Sequence, residues 1–433
     1  WQKGNFFKKS ITQRKDAPPF VFYEGPPSAN GMPGIHHVIS RTLKDLVCRY
    51  KTMQGYQVKR KAGWDTHGLP VELGVEKELG ITKEDIGTKI SVEDYNKKCR
   101  EVVMRFKDKW DDLTQKMGYW VDLDNPYITF DNSYIESLWW ALSSLYKENL
   151  LYKSVSIQPY SPAAGTGLSS HELNQPGTYK DVKDTTAVVM FKALHNSIFK
   201  LPNPNSPVFF LAWTTTPWTL PSNCGLTVGP HIDYVLVKTF NPYTGAPCAV
   251  VLAKPLLHKF FPEHIDEWKE AENHELFDAI TNWLERDVDE NLLEKNPDLK
   301  SVFDQLIKKK QLPYKIIQEF KGKDLEGVRY EQLLPFDSNK PELSGGDPFR
   351  VILGDFVTTE DGTGIVHTAP AFGADDFKVG KANNIGMFTL VDKQGKFVEG
   401  TGEFAGRYVK NYKDDPNYQD VDIDISVKLK LSG

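Results

Sequence analysis

The sequence predicts an α/β protein in two parts. Residues 1–155 alternate short strands with helices; residues 156–433 are β-rich and barrel-like, with a helical excursion over about 255–325. Three observations carry this expectation. In the first part the apolar period switches between two and three-to-four residues, the mark of strands followed by helices. Near residue 156 the texture changes to short β-branched and aromatic runs between tight turns. Finally, 433 residues are more than one simple core organises, so two or three domains are expected.

PFVFYEG (19–25) is a short aromatic and β-branched run closed by Gly25 and reads as a buried strand. PPSANGMPG (26–34) is dense in turn-formers. Then Val38, Ile39, Leu43, Leu46, Val47, Tyr50 and Met53 recur at helical steps, with Arg41, Lys44, Asp45 and Arg49 between them. That predicts an amphipathic helix stopped near Gly55. YQVKRKAGWDTHGLPVE (56–72) reads as a strand leading to a polar turn, and residues 92–118 as one long charged helix. Residues 132–153 form another helix, with Ile135, Leu138, Trp139, Leu142 and Leu145 on its apolar face; the pair Trp139–Trp140 is read as packing. In the second part TTAVVMFKAL, PVFFLAWTTT, DYVLVKTF and APCAVVLAK are strand candidates, and FRVILGDFVTTEDGTGIVHTAP resumes them after the excursion.

Composition narrows the function classes. The formal net charge is −5, so nothing global advertises nucleic acid and any RNA contact must be local. No apolar run approaches the roughly 20 residues that span a membrane. The start, WQKGNFFKKS, has no apolar signal core. Cys48, Cys99, Cys224 and Cys248 are scattered without a CxxC, which fits a reducing cytoplasm and argues against a disulfide frame or a zinc knuckle.

Four stretches hold the chemistry. ANGMPGIHH (29–37) sets His36 and His37 where a loop enters a helix. Unpaired amides and the helix dipole attract phosphate there, and imidazole donors offset charge that develops during phosphoryl or nucleotidyl transfer. GWDTHGLPVE (63–72) puts Asp65 and His67 at a strand end. WTTTPWTLPSN (213–223) gathers Thr214, Thr215, Thr216 and Thr219, and closes on Asn223. GTGIVHTAPAFGADD (362–376) ends a strand with His367 and then offers Asp375 and Asp376. Singly, each also reads as a turn, a β-run or a capped loop; their joint order along the chain is the signal.

That order resembles the class I aminoacyl-tRNA synthetases of the isoleucine, valine and leucine group, over essentially the whole chain. ANGMPGIHH occupies the place of the family's HIGH signature, and GWDTHGLPVE is close to the form of the isoleucine enzymes. The threonine-rich peptide and GTGIVH…DD resemble the two strongest motifs of the inserted editing domain. AFGADD, with Phe372 where many bacterial relatives have histidine, looks like the eukaryote-type branch. The resemblance implies the first half of a Rossmann-like class I catalytic domain over 1–155, interrupted by an inserted β-barrel-like editing domain over 156–433.

The implied activity is ATP-dependent ligation of isoleucine to its tRNA through isoleucyl-adenylate, with hydrolytic editing of misattached valine. The implied partners are isoleucine, magnesium-bound ATP and isoleucine tRNA, with no membrane; a cytoplasmic monomer is expected. By the same carry-over Gly34, Ile35, His36 and His37 face ATP, while Gly25, Pro26 and Asp65 form the amino-acid pocket, Asp65 for the ammonium group. Thr214, Thr215, Thr216, Thr219 and Asn223 would line the editing pocket and place the water and the terminal adenosine. His367 would close it against isoleucine's extra methyl. Of Asp375 and Asp376, the second would bind the α-ammonium of misattached valine.

Three departures qualify the match. The usual His-x-Gly-His reads here as Gly34-Ile35-His36-His37, glycine and histidine exchanged. The CPxC knuckle of some relatives would fall at Ser161-Pro162-Ala163-Ala164, without thiols, so no zinc is expected. Nothing resembles KMSKS, so the chain is expected to be a fragment that cannot adenylate alone. The rival readings are an editing-only or non-catalytic tRNA-binding relative, a valine enzyme, and a nucleotidyltransferase that uses no tRNA. Deacylation of Val-tRNA set against isoleucine-dependent pyrophosphate exchange separates them.

Overall fold

The computed structural model describes residues 3–195, 197–201, 206–261, 312–412 and 414–432, with isolated positions between 297 and 304. The chain divides into two compact units, Trp1–Val155 and Ser156–Gly433.

The first unit runs α1 (Phe6–Thr12), β1 (Pro19–Tyr23), α2 (Ile35–Met53), β2 (Gln57–Trp64), α3 (Leu69–Leu79), α4 (Val92–Val103), α5 (Lys107–Lys116), β3 (Asp122–Ile128) and α6 (Asn132–Lys147). Its strands form one parallel sheet in the order β1-β2-β3. Parallel neighbours need a crossover, and α2 supplies it between β1 and β2. Small clusters make up the core; one joins Ala29, Trp64 and Trp110, so the turn-rich loop is packed against β2 and α5.

Several expectations are corrected here. The single helix over 92–118 is two helices, broken where the Phe106 amide leaves the helical ladder to donate to Ala29 O at 2.9 Å. β1 is half-buried, with Val21 and Tyr23 exposed on its outer face. α2 turns the other way round from the periodicity reading. Its buried residues are Arg41, Asp45, Cys48 and Thr52, while Ile39, Leu43, Leu46, Val47, Tyr50 and Met53 are exposed. The buried polar stripe is possible because β2 answers it. The fully buried Arg60 donates to Asp45 Oδ1 and to Thr52 Oγ1, each at 3.0 Å, and Arg49 donates to Asp45 Oδ2 at 2.6 Å. Trp139 and Trp140 do not pack: they are 69% and 74% exposed, on a helix with no buried residue.

The second unit begins with a hairpin of β4 (Tyr160–Ser161) and β5 (Thr166–Gly167), then a one-turn helix, α7 (Ser170–Leu173). Its main strands are β6 (Ala187–Lys192), β7 (Val208–Thr214), β8 (Gly225–Val228), β9 (Asp233–Phe240) and β10 (Pro247–Ala253). After the short α8 (Leu257–Phe260) come β11 (Lys315–Lys321), β12 (Arg350–Leu353), β13 (Ile365–Thr368), α9 (Ala374–Ala382) and α10 (Val421–Leu431).

These main strands make one mixed sheet, ordered β11-β9-β10-β7-β13-β8-β12 with β6 beside β7. β7 is the pivot. It pairs with β6 along its length, while its start pairs with β10 and Trp213 near its end pairs with Val366 of β13. Changing partner along one edge curls the sheet into a half-barrel. The barrel-like expectation takes this open form, with β11 and β12 as the ends of the described strand order. Both faces are buried: Tyr234 and Leu236 enter the main core, while Val235 and Val237 join Val250 and Leu252 on the other side. The helical reading of 255–325 is also corrected at its end. KIIQEFK is β11, antiparallel to β9; the middle of that range lies outside the described residues.

Candidate functional site

Two constellations stand out, one in each unit. In the first, Gly34 is the N-cap of α2, and its amide donates to Nδ1 of His37 at 2.9 Å. An accepting Nδ1 leaves the proton of neutral His37 on Nε2, a ready donor. Burial, with help from His36 and Arg41, lowers the pKa of His37 and favours that neutral form. The His36 ring lies against His37, with centroids 3.8 Å apart. It also fills the space over residue 34: a Cβ there would come 2.8 Å from His36 Cε1. Glycine at 34 is therefore what lets the exchanged histidine fold back.

Around this start lies a cavity of about 340 Å³, bounded by Glu24–Ser28, His37, Ser40, Arg41, Lys44 and Trp110. Glu24 is spent: it takes Lys44 Nζ at 2.6 Å on one oxygen and the Tyr119 hydroxyl on the other. Arg41 is different. It is 4% exposed, lies against the Trp110 and Tyr119 rings, and has no acceptor among the described residues for its buried Nε and Nη1. Asp65 is half-buried beside the same loop, its amide donating to Pro27 O at 3.0 Å. That tie joins Asp65 to Pro27, next in the chain to Gly25 and Pro26, while Asp65 itself is not among the residues lining the cavity. His67 is exposed, its Nε2 3.8 Å from Asp65 Oδ1.

In the second unit the threonine peptide follows β7 and folds into a short 3-10 turn, Pro217–Ser222. Thr214 and Thr219 are buried, Thr216 is half-buried, and Thr215, just past the end of β7, is exposed. Thr214 Oγ1 receives the Thr216 amide at 3.1 Å, and Thr219 Oγ1 donates to Thr216 O at 2.8 Å. His367 on β13 reaches across: its Nε2 is 3.0 Å from Thr219 Oγ1 and its Nδ1 2.8 Å from Asn223 Nδ2. Burial pushes the His367 pKa down to about 4, so it is neutral above that pH.

Asp376 sits in the first turn of α9 and accepts from the Ala369 amide at 3.2 Å, just past the end of β13. Gly373 makes room for it, since a Cβ there would lie 2.7 Å from Asp376 Oδ2. Burial chiefly, and Asp375 in a smaller part, raise the Asp376 pKa to about 6. Asp375 itself is exposed. The AFGADD loop meets the threonine turn through Phe372 and Trp218, edge to face at 4.9 Å. Beside that contact is a cavity of about 660 Å³, lined in part by Tyr160, Lys393 and Lys410.

Sequence reading missed three residues here. Tyr330 donates to Asn223 Oδ1 at 2.7 Å. Asp422, fully buried on α10, accepts the Trp218 amide at 2.7 Å and pairs with Lys410. Arg41 is the third. Each acts from outside the motifs or from a helix stripe that periodicity assigned to solvent. Ser161 ends β4 and Pro162, Ala163 and Ala164 lie in the turn to β5, and among the described residues no three His, Cys, Asp or Glu side chains gather as a metal site.

Comparison with known proteins matches residues 1–372 to the family described as tRNA synthetases class I (I, L, M and V). An isoleucine–tRNA ligase of Cytophaga hutchinsonii is 54% identical over 453 aligned residues, covering 99% of this chain and 37% of that protein. One from Porphyromonas gingivalis is 54% identical over 429 residues, covering 98% of this chain and 34% of its own length. The chain thus spans little more than a third of the curated relatives it matches. No described helix is long and apolar enough to cross a membrane.

Proposed function

The chain belongs to the class I tRNA synthetases, and on that premise we propose that it is part of an enzyme that joins isoleucine to its tRNA and removes misattached valine. In this reading the carboxylate of isoleucine attacks the α-phosphate of magnesium-bound ATP, forming isoleucyl-adenylate and releasing pyrophosphate. The acyl group then passes to the terminal ribose of isoleucine tRNA. Such a step asks for positioning and for donors to a crowded phosphate oxyanion rather than for a side-chain nucleophile. His37 Nε2–H, the His36 ring and the free amides at the start of α2 suit it. Asp65, tied to Pro27 next to Gly25 and Pro26, suits the ammonium of the amino acid through a charge-assisted bond.

The observation that carries the nucleotide half of this reading is Arg41. A buried guanidinium without an acceptor is costly, and an anion in the cavity under the α2 start would complete it. Isoleucine-dependent exchange of pyrophosphate into ATP by the longer enzyme is the test. Exchange driven equally well by valine, or absent altogether, rejects the reading.

A pocket shaped for isoleucine discriminates against valine by only about 1–3 kcal/mol, a magnitude for which the isoleucine enzymes are themselves the standard example. A second site must therefore clear the error, and we assign it to the second unit, read as the inserted editing domain. Asp376 holds the α-ammonium of misattached valine, and Thr214 and Thr216 offer hydroxyls to the ester and its water. His367, neutral and bonded through both nitrogens, acts as a wall rather than a base. The cavity beside Trp218 and Phe372 leaves room for the terminal adenosine. Asp376→Ala should abolish hydrolysis of Val-tRNA while leaving pyrophosphate exchange within about twofold of wild type, since Asp376 serves only the misacylated end. A mutant that clears Val-tRNA normally removes the assignment.

A further inference from the structure

The hydrogen bonds behind the threonine turn form a chain whose proton positions are fixed from one end. Tyr330 is buried, with its ring against Phe191 and Phe349. Its hydroxyl donates to Asn223 Oδ1 at 2.7 Å. The amide is oriented from its other end, because Asn223 Nδ2 meets Gly225 O, at 2.9 Å, and a carbonyl oxygen can only accept. The other amide hydrogen then points at His367 Nδ1, 2.8 Å away, which must be the unprotonated nitrogen. Nε2 therefore carries the proton and donates to Thr219 Oγ1 at 3.0 Å. With that bond received, the Thr219 hydrogen goes to Thr216 O at 2.8 Å.

We infer that Asn223, oriented by the Gly225 carbonyl, is a positioning residue for ester hydrolysis, locking His367 in its Nε2–H tautomer and turning the Thr219 hydroxyl away from the ligand. The inference rests on the editing reading above and assigns the threonines different work. Thr219 has no hydrogen left to give, so the hydroxyls offered to a bound ester are those of Thr214 and Thr216. Asn223, with both amide hydrogens committed, holds His367 rather than the water or the adenosine.

The test uses the 433-residue chain with ring-¹⁵N histidine, the His367 signals being assigned by their loss in His367→Gln. Wild type should show Nε2 protonated and Nδ1 bare. Tyr330→Phe leaves the Gly225 bond and should keep the wild-type tautomer, whereas Asn223→Ala removes the donor to Nδ1 and should make His367 a tautomer mixture. In the Asn223→Ala chain, hydrolysis of Val-tRNA should lose about tenfold in kcat with KM within twofold, the scale of one buried partner removed. Asn223→Asp, nearly the same size, presents acceptors only; it should force the proton to Nδ1 and cost at least as much. A folded Asn223→Ala chain that keeps the wild-type tautomer overturns the inference, whatever its rate. So does a tautomer mixture that hydrolyses at the wild-type rate. The nitrogen signals are read without substrate, so a wild-type chain that clears no Val-tRNA but shows the predicted shifts removes the editing reading and leaves the lock standing.

Discussion

At neutral pH Asp376 is an acid ionised against its surroundings, while His367 is a base kept bare by its own. Burial raises the first from an ordinary 3.8 to about 6 and lowers the second from 6.5 to about 4. In the proposed editing role Asp376 must be charged to hold the ammonium, so kcat/KM for Val-tRNA hydrolysis should fall as pH drops through about 6, with no contribution from His367 in that range. A flat profile between pH 5 and 7.5 would remove Asp376 as the ammonium partner. Stability carries the opposite pair of signs. The raised Asp376 pKa means the folded chain takes up this proton first, so its burial cost is full above about 6 and is relieved as pH falls toward 3.8. For His367 the unfolded chain takes up the proton first, so stability is full above 6.5 and is lost toward about 4. Asp376→Asn should therefore be more stable than wild type at pH 7.5 by about 1–2 kcal/mol and should lose most of that margin by pH 4.5, as urea melts at the two values would read. The motifs made these two residues visible in the sequence. Their environments were not, because a pKa comes from what folds over a residue, and Asn223 and Gly225, which fix the His367 ring, are far from both in the chain.

Among the elements, α2 is where a correct period led to a wrong face. The sequence fixes which residues share a stripe of a helix, yet leaves open which stripe faces inward; the apolar one is only the usual choice. Here the inward stripe is Arg41, Asp45, Cys48 and Thr52, stabilised by a buried arginine on β2 that periodicity cannot place opposite them. The orientation is testable by substitution. Asp45→Ala leaves Arg60 buried and short of its carboxylate, and should cost about 3–5 kcal/mol in unfolding of this chain. Leu46→Lys, on the outer stripe, should change stability by no more than about 0.5 kcal/mol. Reversed magnitudes would mean the helix is turned over. Strands were more legible than helices. The β7, β9 and β10 runs were readable because both of their faces are apolar, which leaves no face to choose wrongly.

The two units differ in how their cores are built, and this sets an expectation for the whole chain. Unit 156–433 has a continuous core in which Phe191 of β6, Phe210 of β7, Leu226 of β8, Leu236 of β9, Val351 of β12 and Ile365 of β13 meet. Every residue of that cluster, and of the second cluster on the other sheet face, lies within the unit. The sequence shows these residues as apolar runs. It does not show that β7 changes partner from β10 to β13, because pairing between distant strands is decided by packing and leaves no local signal. A unit whose cores are wholly its own should fold when expressed as residues 156–433 alone and should unfold cooperatively. In urea its midpoint should coincide with a transition of the 433-residue chain that is followed by a probe confined to the unit, such as the His367 ring signals. Leu236→Ala, deleting a fully buried side chain of β9 that enters the main core, should move that transition by about 2–5 kcal/mol in both chains alike. If the isolated piece unfolds without a cooperative transition, or if the Leu236→Ala shift differs between the two chains by more than about 1 kcal/mol, residues 1–155 take part in this core and the description of the second unit as self-sufficient fails.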